Sequence, residues 1–252
     1  PNVIAVSTET GEKLWEFKPI VDAFTEEDGL IDAETISWSA ASIPSGSGKD
    51  VVVSSWKMVY RLSGVNGDVL WTFTGGNDIW NVVEAADLTG DNKHDLLAGS
   101  QDGDIHLLDG KTGRIVWEHD LTEIYEKNIE LDSKSKEDGG SGTVNIAIDL
   151  SLWSILNIED ANNDNIPDVI VSSEDGFITL ISGNGGGIIW SKKITLQNQP
   201  NIDEENMIGI QSGVDDPLNF FNPRITTIDD FDSDGLRDIL VMGINRDYSG
   251  TA

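Results

Sequence analysis

Cysteine is absent from the 252 residues, so no disulfide framework, thiolate metal site or cysteine nucleophile can be built. Histidine is scarce. His94, His106 and His119 are the only three, and no two stand at metal-ligand spacing, which leaves little material for an imidazole zinc site or a Ser-His-Asp triad. Hydrolase chemistry is disfavoured on that ground. No apolar run approaches the length of a membrane span, and direct membrane insertion is not expected. Positive charge is also short: 16 Lys and Arg face 45 Asp and Glu, a formal charge of −29 that repels nucleic acid and anionic membranes. The chain opens on Pro-Asn-Val-Ile without an initiator Met, so the expectation is a removed leader or a segment of a longer protein.

Aspartate is what the chain has in plenty, and its placement is ordered. Three nine-residue stretches set acidic or amide side chains on odd positions and then run into an apolar strand: Asp87 to Asp95, Asp160 to Asp168 and Asp230 to Asp238. Oxygens at positions one, three, five and nine, with the carbonyl of position seven between, can wrap a hard cation that takes six to eight oxygens. The expected ligands are Asp87, Thr89, Asp91, Asp95 and the Lys93 carbonyl; Asp160, Asn162, Asp164, Asp168 and the Ile166 carbonyl; and Asp230, Asp232, Asp234, Asp238 and the Leu236 carbonyl. Calcium at three sites is the expected cofactor. Each loop leads into a strand and lacks the flanking helices and terminal Glu of an EF-hand. The third loop, with four carboxylates against three in each of the others, is expected to bind tightest.

A second pattern interleaves with the first. A strand, a polar turn ending in glycine and a tryptophan four residues later recur at Gly11 and Trp15, Gly67 and Trp71, Gly113 and Trp117, and Gly186 and Trp190. Each reads as a hairpin whose glycine supplies the positive-φ turn residue and whose tryptophan packs one repeat on the next. The repeated unit predicts an all-β fold, a β-propeller of four-stranded antiparallel blades with the Asp loops between first and second strands. The expected division of 1–252 is a half blade at 1–18, blades at about 36–74, 79–120 and 147–194, and a half blade at about 222–244. Long inter-blade loops are expected at about 16–35, 121–146 and 192–221. In the first blade Ser42–Asp50 stands where the Asp loop belongs and keeps only the last carboxylate, so no ion is expected there.

The Thr-Gly-x-x-x-Trp hairpins at 10–15 and 112–117, with looser copies at 66–71 and 185–190, resemble the repeat of quinoprotein-like (PQQ-like) propellers. The Asp loops resemble FG-GAP and VCBS calcium loops of integrin α-like propellers. The two half blades could close on each other as a four-bladed ring, but the resemblance implies part of a larger, six- to eight-bladed one. It specifies fold more strongly than function.

Strand parity puts the Asp loops and Gly-Trp hairpins on one face and the long links on the other. The expected function is a calcium-stabilised, extracytoplasmic, non-enzymatic module that binds a protein or glycan through the link face, located extracellularly, at the cell surface or in the periplasm. The alternatives are a PQQ-dependent dehydrogenase-like propeller or an envelope-assembly scaffold similar to BamB-like propellers. The dehydrogenase reading implies a vicinal Cys pair in many members and a catalytic Asp; no catalytic residue maps onto this sequence.

Overall fold

Short apolar alternations closed by glycine or Asx turns commit the chain to antiparallel strands. The computed structural model describes residues 2–19, 37–46, 48–122, 151–174, 176–194 and 220–245. Three four-stranded antiparallel sheets follow one another along it. The first blade holds β3 (Ser37–Ser45), β4 (Gly48–Ser55), β5 (Met58–Leu62) and β6 (Val69–Thr74). The second holds β7 (Ile79–Ala85), β8 (Asp95–Ser100), β9 (Asp104–Leu108) and β10 (Ile115–Asp120). The third holds β11 (Leu152–Ile158), β12 (Asp168–Ser173), β13 (Phe177–Ile181) and β14 (Ile188–Lys193). Two-stranded sheets complete the set: β1 (Val3–Val6) pairs with β2 (Lys13–Phe17), and β15 (Phe220–Thr227) with β16 (Ile239–Asn245). These two half-sheets are not paired with each other.

Every blade is a simple meander, and the first strands of successive blades are neighbours, as a β-propeller requires. Side-chain amides tie those first strands together: Asn81 Nδ2 donates to the Leu152 carbonyl at 2.5 Å, and Asn157 Nδ2 to the Glu84 carbonyl at 2.6 Å. The core lies between blades. Ile43, Val52 and Phe73 of the first blade meet Ile79, Leu96 and Leu108 of the second. Leu97, Leu107 and Trp117 of the second meet Leu152, Val169 and Phe177 of the third. Strands β8, β12 and β13 are buried on both faces, whereas the outermost β10 buries one residue in six.

Two local features depart from the sequence reading. The segment expected to be a degenerate loop at Ser42–Asp50 is ladder almost throughout, with Ser42 opposite Val51 and Ser45 opposite Gly48. Each first strand also carries a bulge near its start, where the register skips Trp38, Trp80 or Trp153. A bulge re-aims the skipped side chain. The expected inter-blade loops at 16–35, 121–146 and 192–221 lie almost wholly outside the described residues. Among the described residues no helix is long and apolar enough to cross a membrane.

Candidate metal centres and docking faces

All three Asp loops adopt one backbone course. Positions four and six have positive φ in each: Gly90 and Asn92, Asn163 and Asn165, Ser233 and Gly235. Glycine and asparagine tolerate that left-handed region better than other residues, which accounts for five of these six positions, with Ser233 the exception. Three hydrogen bonds recur with it. The position-one carboxylate accepts the N–H of position six, from Asn92 to Asp87 at 2.7 Å, Asn165 to Asp160 at 2.6 Å and Gly235 to Asp230 at 3.0 Å. The position-five carboxylate accepts the N–H of position seven, from Lys93 to Asp91 at 2.8 Å, Ile166 to Asp164 at 2.9 Å and Leu236 to Asp234 at 2.8 Å. The position-nine carboxylate accepts the N–H of position two, from Leu88 to Asp95 at 2.9 Å, Ala161 to Asp168 at 2.8 Å and Phe231 to Asp238 at 2.7 Å.

These bonds fix the carboxylates of positions one, five and nine to the loop backbone, and among the described residues only the third loop draws three acidic side chains close enough together to hold an ion. In the third loop Asp230, Asp232 and Asp238 bring carboxylate oxygens within 4.8 Å of one another, close enough for one ion to bridge. The donor set there, all oxygen and mostly exposed, suits a hard divalent cation. In the second loop, burial pushes the Asp164 carboxyl up. The Ile166 N–H and the side chains of Asn162, Ser182 and Asn184 outweigh it and hold the group below its ordinary value. Thr89 takes position three of the first loop and lies near both Asp87 and Asp95, its Oγ1 at 3.5 and 3.4 Å from them.

Position nine has a second role that the loop pattern alone does not show. Its other oxygen accepts an N–H from the glycine of the hairpin in the same blade: Gly110 to Asp95 and Gly183 to Asp168, both at 3.1 Å. The loop and the hairpin therefore share a face, joined by a buried carboxylate. Burial pushes the Asp95 carboxyl up, opposed by the N–H groups of Gly110, Leu88 and Thr89 and by the Thr89 hydroxyl. In the first blade Asp50 accepts the Gly64 N–H at 3.2 Å in the same way. With no loop to supply position-two and position-three donors, Arg61 fills their place, its Nη2 2.6 Å and its Nε 3.0 Å from the Asp50 Oδ2. Arg61 also donates to the Gly110 carbonyl of the second blade.

The recurring tryptophan clasps the following sheet at the same hairpin. Trp15 Nε1 donates to the Gly64 carbonyl at 3.1 Å, Trp71 to Gly110 at 3.0 Å and Trp117 to Gly183 at 3.2 Å. Its ring lies on the turn glycine: a Cβ at Gly67, Gly113 or Gly186 would sit 2.6 to 2.8 Å from the nearest ring atoms. Glycine is obligatory there, both for this approach and for a φ of 71° to 78°.

On the opposite face, the bulge tryptophans Trp80 and Trp153 are half-buried and meet edge-to-face with centroids 5.6 Å apart. Trp153 Nε1 donates to Glu174 at 3.2 Å, and the Arg224 guanidinium lies 5.1 Å over the Trp153 ring. The sequence reading missed this pair. The available signal was a Trp in second place on each first strand, as in Ser37-Trp38, Ile79-Trp80 and Leu152-Trp153.

The family described as outer membrane protein assembly factor BamB matches residues 1–146. No curated protein matches the chain significantly. Among solved structures, BamB from Moraxella catarrhalis is 15% identical, with 77% of this chain and 45% of that one covered at a TM-score of 0.43. Sqt1 of Saccharomyces cerevisiae is 18% identical, with 62% and 38% covered at a TM-score of 0.43. BBS1N, solved in complex with ARL6DN, is 10% identical, with 65% and 42% covered at a TM-score of 0.40. The chain spans less than half the length of each of these structures.

Proposed function

The chain belongs to the family described as outer membrane protein assembly factor BamB, and from that premise we propose that it is a non-enzymatic, protein-binding scaffold of the cell envelope whose blades are braced by calcium. The observation that carries this reading is the division of labour between the two faces. On the loop face the recurring polar groups are largely engaged inside the molecule: carboxylates clamp loops and hairpins, and tryptophans clasp neighbouring blades. On the link face Trp80, Trp153 and Arg224 form an aromatic and cationic patch of the composition that protein interfaces favour. An envelope location, periplasmic in particular, suits both the family and the calcium loops, because calcium sites of about 10⁻⁴–10⁻³ M affinity fill outside the cytosol.

Calcium is supported by the common course of the three loops and by the oxygen cluster of Asp230, Asp232 and Asp238. The ion would neutralise carboxylates that otherwise repel one another, and at ten times its Kd it would add about 1.4 kcal/mol of stability per site. The FG-GAP and VCBS resemblance belongs to this part of the proposal.

Site-specific photo-crosslinking tests the assignment of faces. A photoreactive residue replacing Trp80 or Trp153, in cells that make the whole protein, is expected to give discrete protein adducts, and one replacing Asp91 or Asn163 none. Adducts from the loop positions with none from the tryptophan positions would reverse the assignment.

A further inference from the structure

Asn-Gly is the dipeptide in which a side-chain amide is most open to attack by the backbone, because the second residue has no Cβ to hinder the approach of its nitrogen. The sequence holds it twice, at Asn66-Gly67 and Asn184-Gly185. Both copies fall in hairpin turns of one kind. The turns of the three blades run from Ser63 to Asp68, Asp109 to Arg114 and Ser182 to Gly187, and the same two backbone bonds close each of them. Aligned by those bonds, Asn184 stands one place earlier in its turn than Asn66 does. That offset decides which nitrogen follows each asparagine. After Asn66 it is the Gly67 N–H, which donates to the Ser63 carbonyl at 2.8 Å and is buried beneath the Trp15 ring, 2.8 Å from a Cβ built there. After Asn184 it is the Gly185 N–H, which is exposed and has no hydrogen-bond acceptor among the described residues. Nothing lies within 4 Å of a Cβ built on Gly185.

This exposure belongs to the turn itself. Val65 and Lys111 occupy the place of Asn184, and Asn66 and Thr112 that of Gly185, in blades with a packed neighbour on either side, and all four are exposed. The surroundings of Asn184 give its chemistry a consequence. Burial pushes the Asp164 carboxyl of the second Asp loop up, and the Asn184 side chain is among the donors that bring it back below its ordinary value. The turn backbone is also clamped on both sides of Asn184-Gly185. Gly183 gives its N–H to Asp168 at 3.1 Å and accepts the Trp117 Nε1–H on its carbonyl at 3.2 Å. A Cβ at Gly186 would lie 2.8 Å from the Trp117 ring.

We propose that Asn184 is a modification site, at which the Gly185 nitrogen closes on the side-chain amide and converts the residue to aspartate or isoaspartate. The Gly185 nitrogen bonds to the Asn184 Cγ as the Cγ–Nδ2 bond breaks, and the amide nitrogen leaves as ammonia with the Gly185 proton. Water then opens the cyclic imide. Opening at Cγ gives aspartate, whereas opening at the main-chain carbonyl gives isoaspartate, whose peptide link runs through Cβ and Cγ and is one atom longer. Aspartate sets a carboxylate against Asp164 where a donor stood. Isoaspartate lengthens the turn between Gly183 and Gly186, the two residues on which Trp117 rests, and so loosens the clasp of the second blade on the third. Asn66 is the protected copy, because its nucleophile is bonded and covered.

Peptide mapping by mass spectrometry of the whole chain, aged in mildly alkaline buffer, tests this. Asn184→Gln is the control, because its longer side chain closes the ring poorly. Conversion at Asn184 is expected to outrun that at Asn66 by about tenfold or more in the folded chain, and by less than about threefold in denaturant, where both are bare Asn-Gly pairs. The aged chain is expected to melt at a lower temperature than the fresh one, and aged Asn184→Gln to keep its melting temperature. No conversion at Asn184, equal rates at the two sites in the folded chain, a ratio unchanged by denaturant, or an equal fall in melting temperature for aged Asn184→Gln would each overturn the proposal.

Discussion

Single side chains decide how each blade closes. Asp50 and Arg61 form a pair whose side chains are 8% and 11% exposed, and the pair replaces the loop donors that Asp95 and Asp168 receive. Arg61→Met leaves a buried carboxylate short of two donors, and denaturant unfolding is expected to show a loss of about 3 kcal/mol. A change within about 0.5 kcal/mol would mean that water or another group satisfies Asp50. Asp104 behaves in the opposite sense. Burial, with the carboxylates of Asp102, Asp120 and Glu118 nearby, pushes its carboxyl up to about 6. A carboxyl raised on folding contributes stability below its unfolded value near 3.8 and loses it as pH rises through about 6. Asp104→Asn is therefore expected to raise the melting temperature at about pH 7.5 and to have little effect at about pH 4.5. A gain of the same size at both would show that charge is not the cause.

At the scale of the element, the recurring unit is a clamp of loop, hairpin and tryptophan. Replacing Gly113, which lies under the Trp71 ring, with alanine forces a contact of 2.6 Å and strains a φ of 71°. A loss of about 3 kcal/mol is expected, against about 1 kcal/mol for Gly11→Ser, where a φ of 73° is strained as well but no ring lies above. Circular-dichroism melts of the two variants make the comparison. Asp232→Ala should lower the melting temperature in calcium and leave it nearly unchanged in chelator, because the lost oxygen matters only when an ion is held. Equal losses in both conditions would assign the loop to its turn hydrogen bonds alone. Much of this element was legible because it repeats: the Asp spacing and the Gly-to-Trp interval appear several times in one sequence. The bond from the Gly110 N–H to Asp95 was not: it spans fifteen residues, an interval repeated only from Gly183 to Asp168, and joins two motifs that were read separately. Arg61 was invisible for a related reason. The matching positions in the other blades, Leu107 and Leu180, are apolar, so one copy carried no pattern.

Across the whole molecule, repetition builds the architecture and irregularity shapes the link face. The four-stranded blades follow from strand alternation and turn chemistry, both of which act locally and can be read locally. The patch of Trp80, Trp153 and Arg224 arises from bulges and from the meeting of β7, β11 and β15, which no single segment encodes. The Asp loops join the two scales, since each fixes a hairpin on which the preceding blade's tryptophan rests in the two complete copies. The most direct measurement is equilibrium dialysis of the chelator-stripped chain against calcium, with the melting temperature followed in parallel. Three ions per chain, the tightest lost on Asp232→Ala, and a melting temperature that climbs as they bind are the predicted result. A chain that takes up no calcium at millimolar concentration and melts identically in chelator would contradict the account.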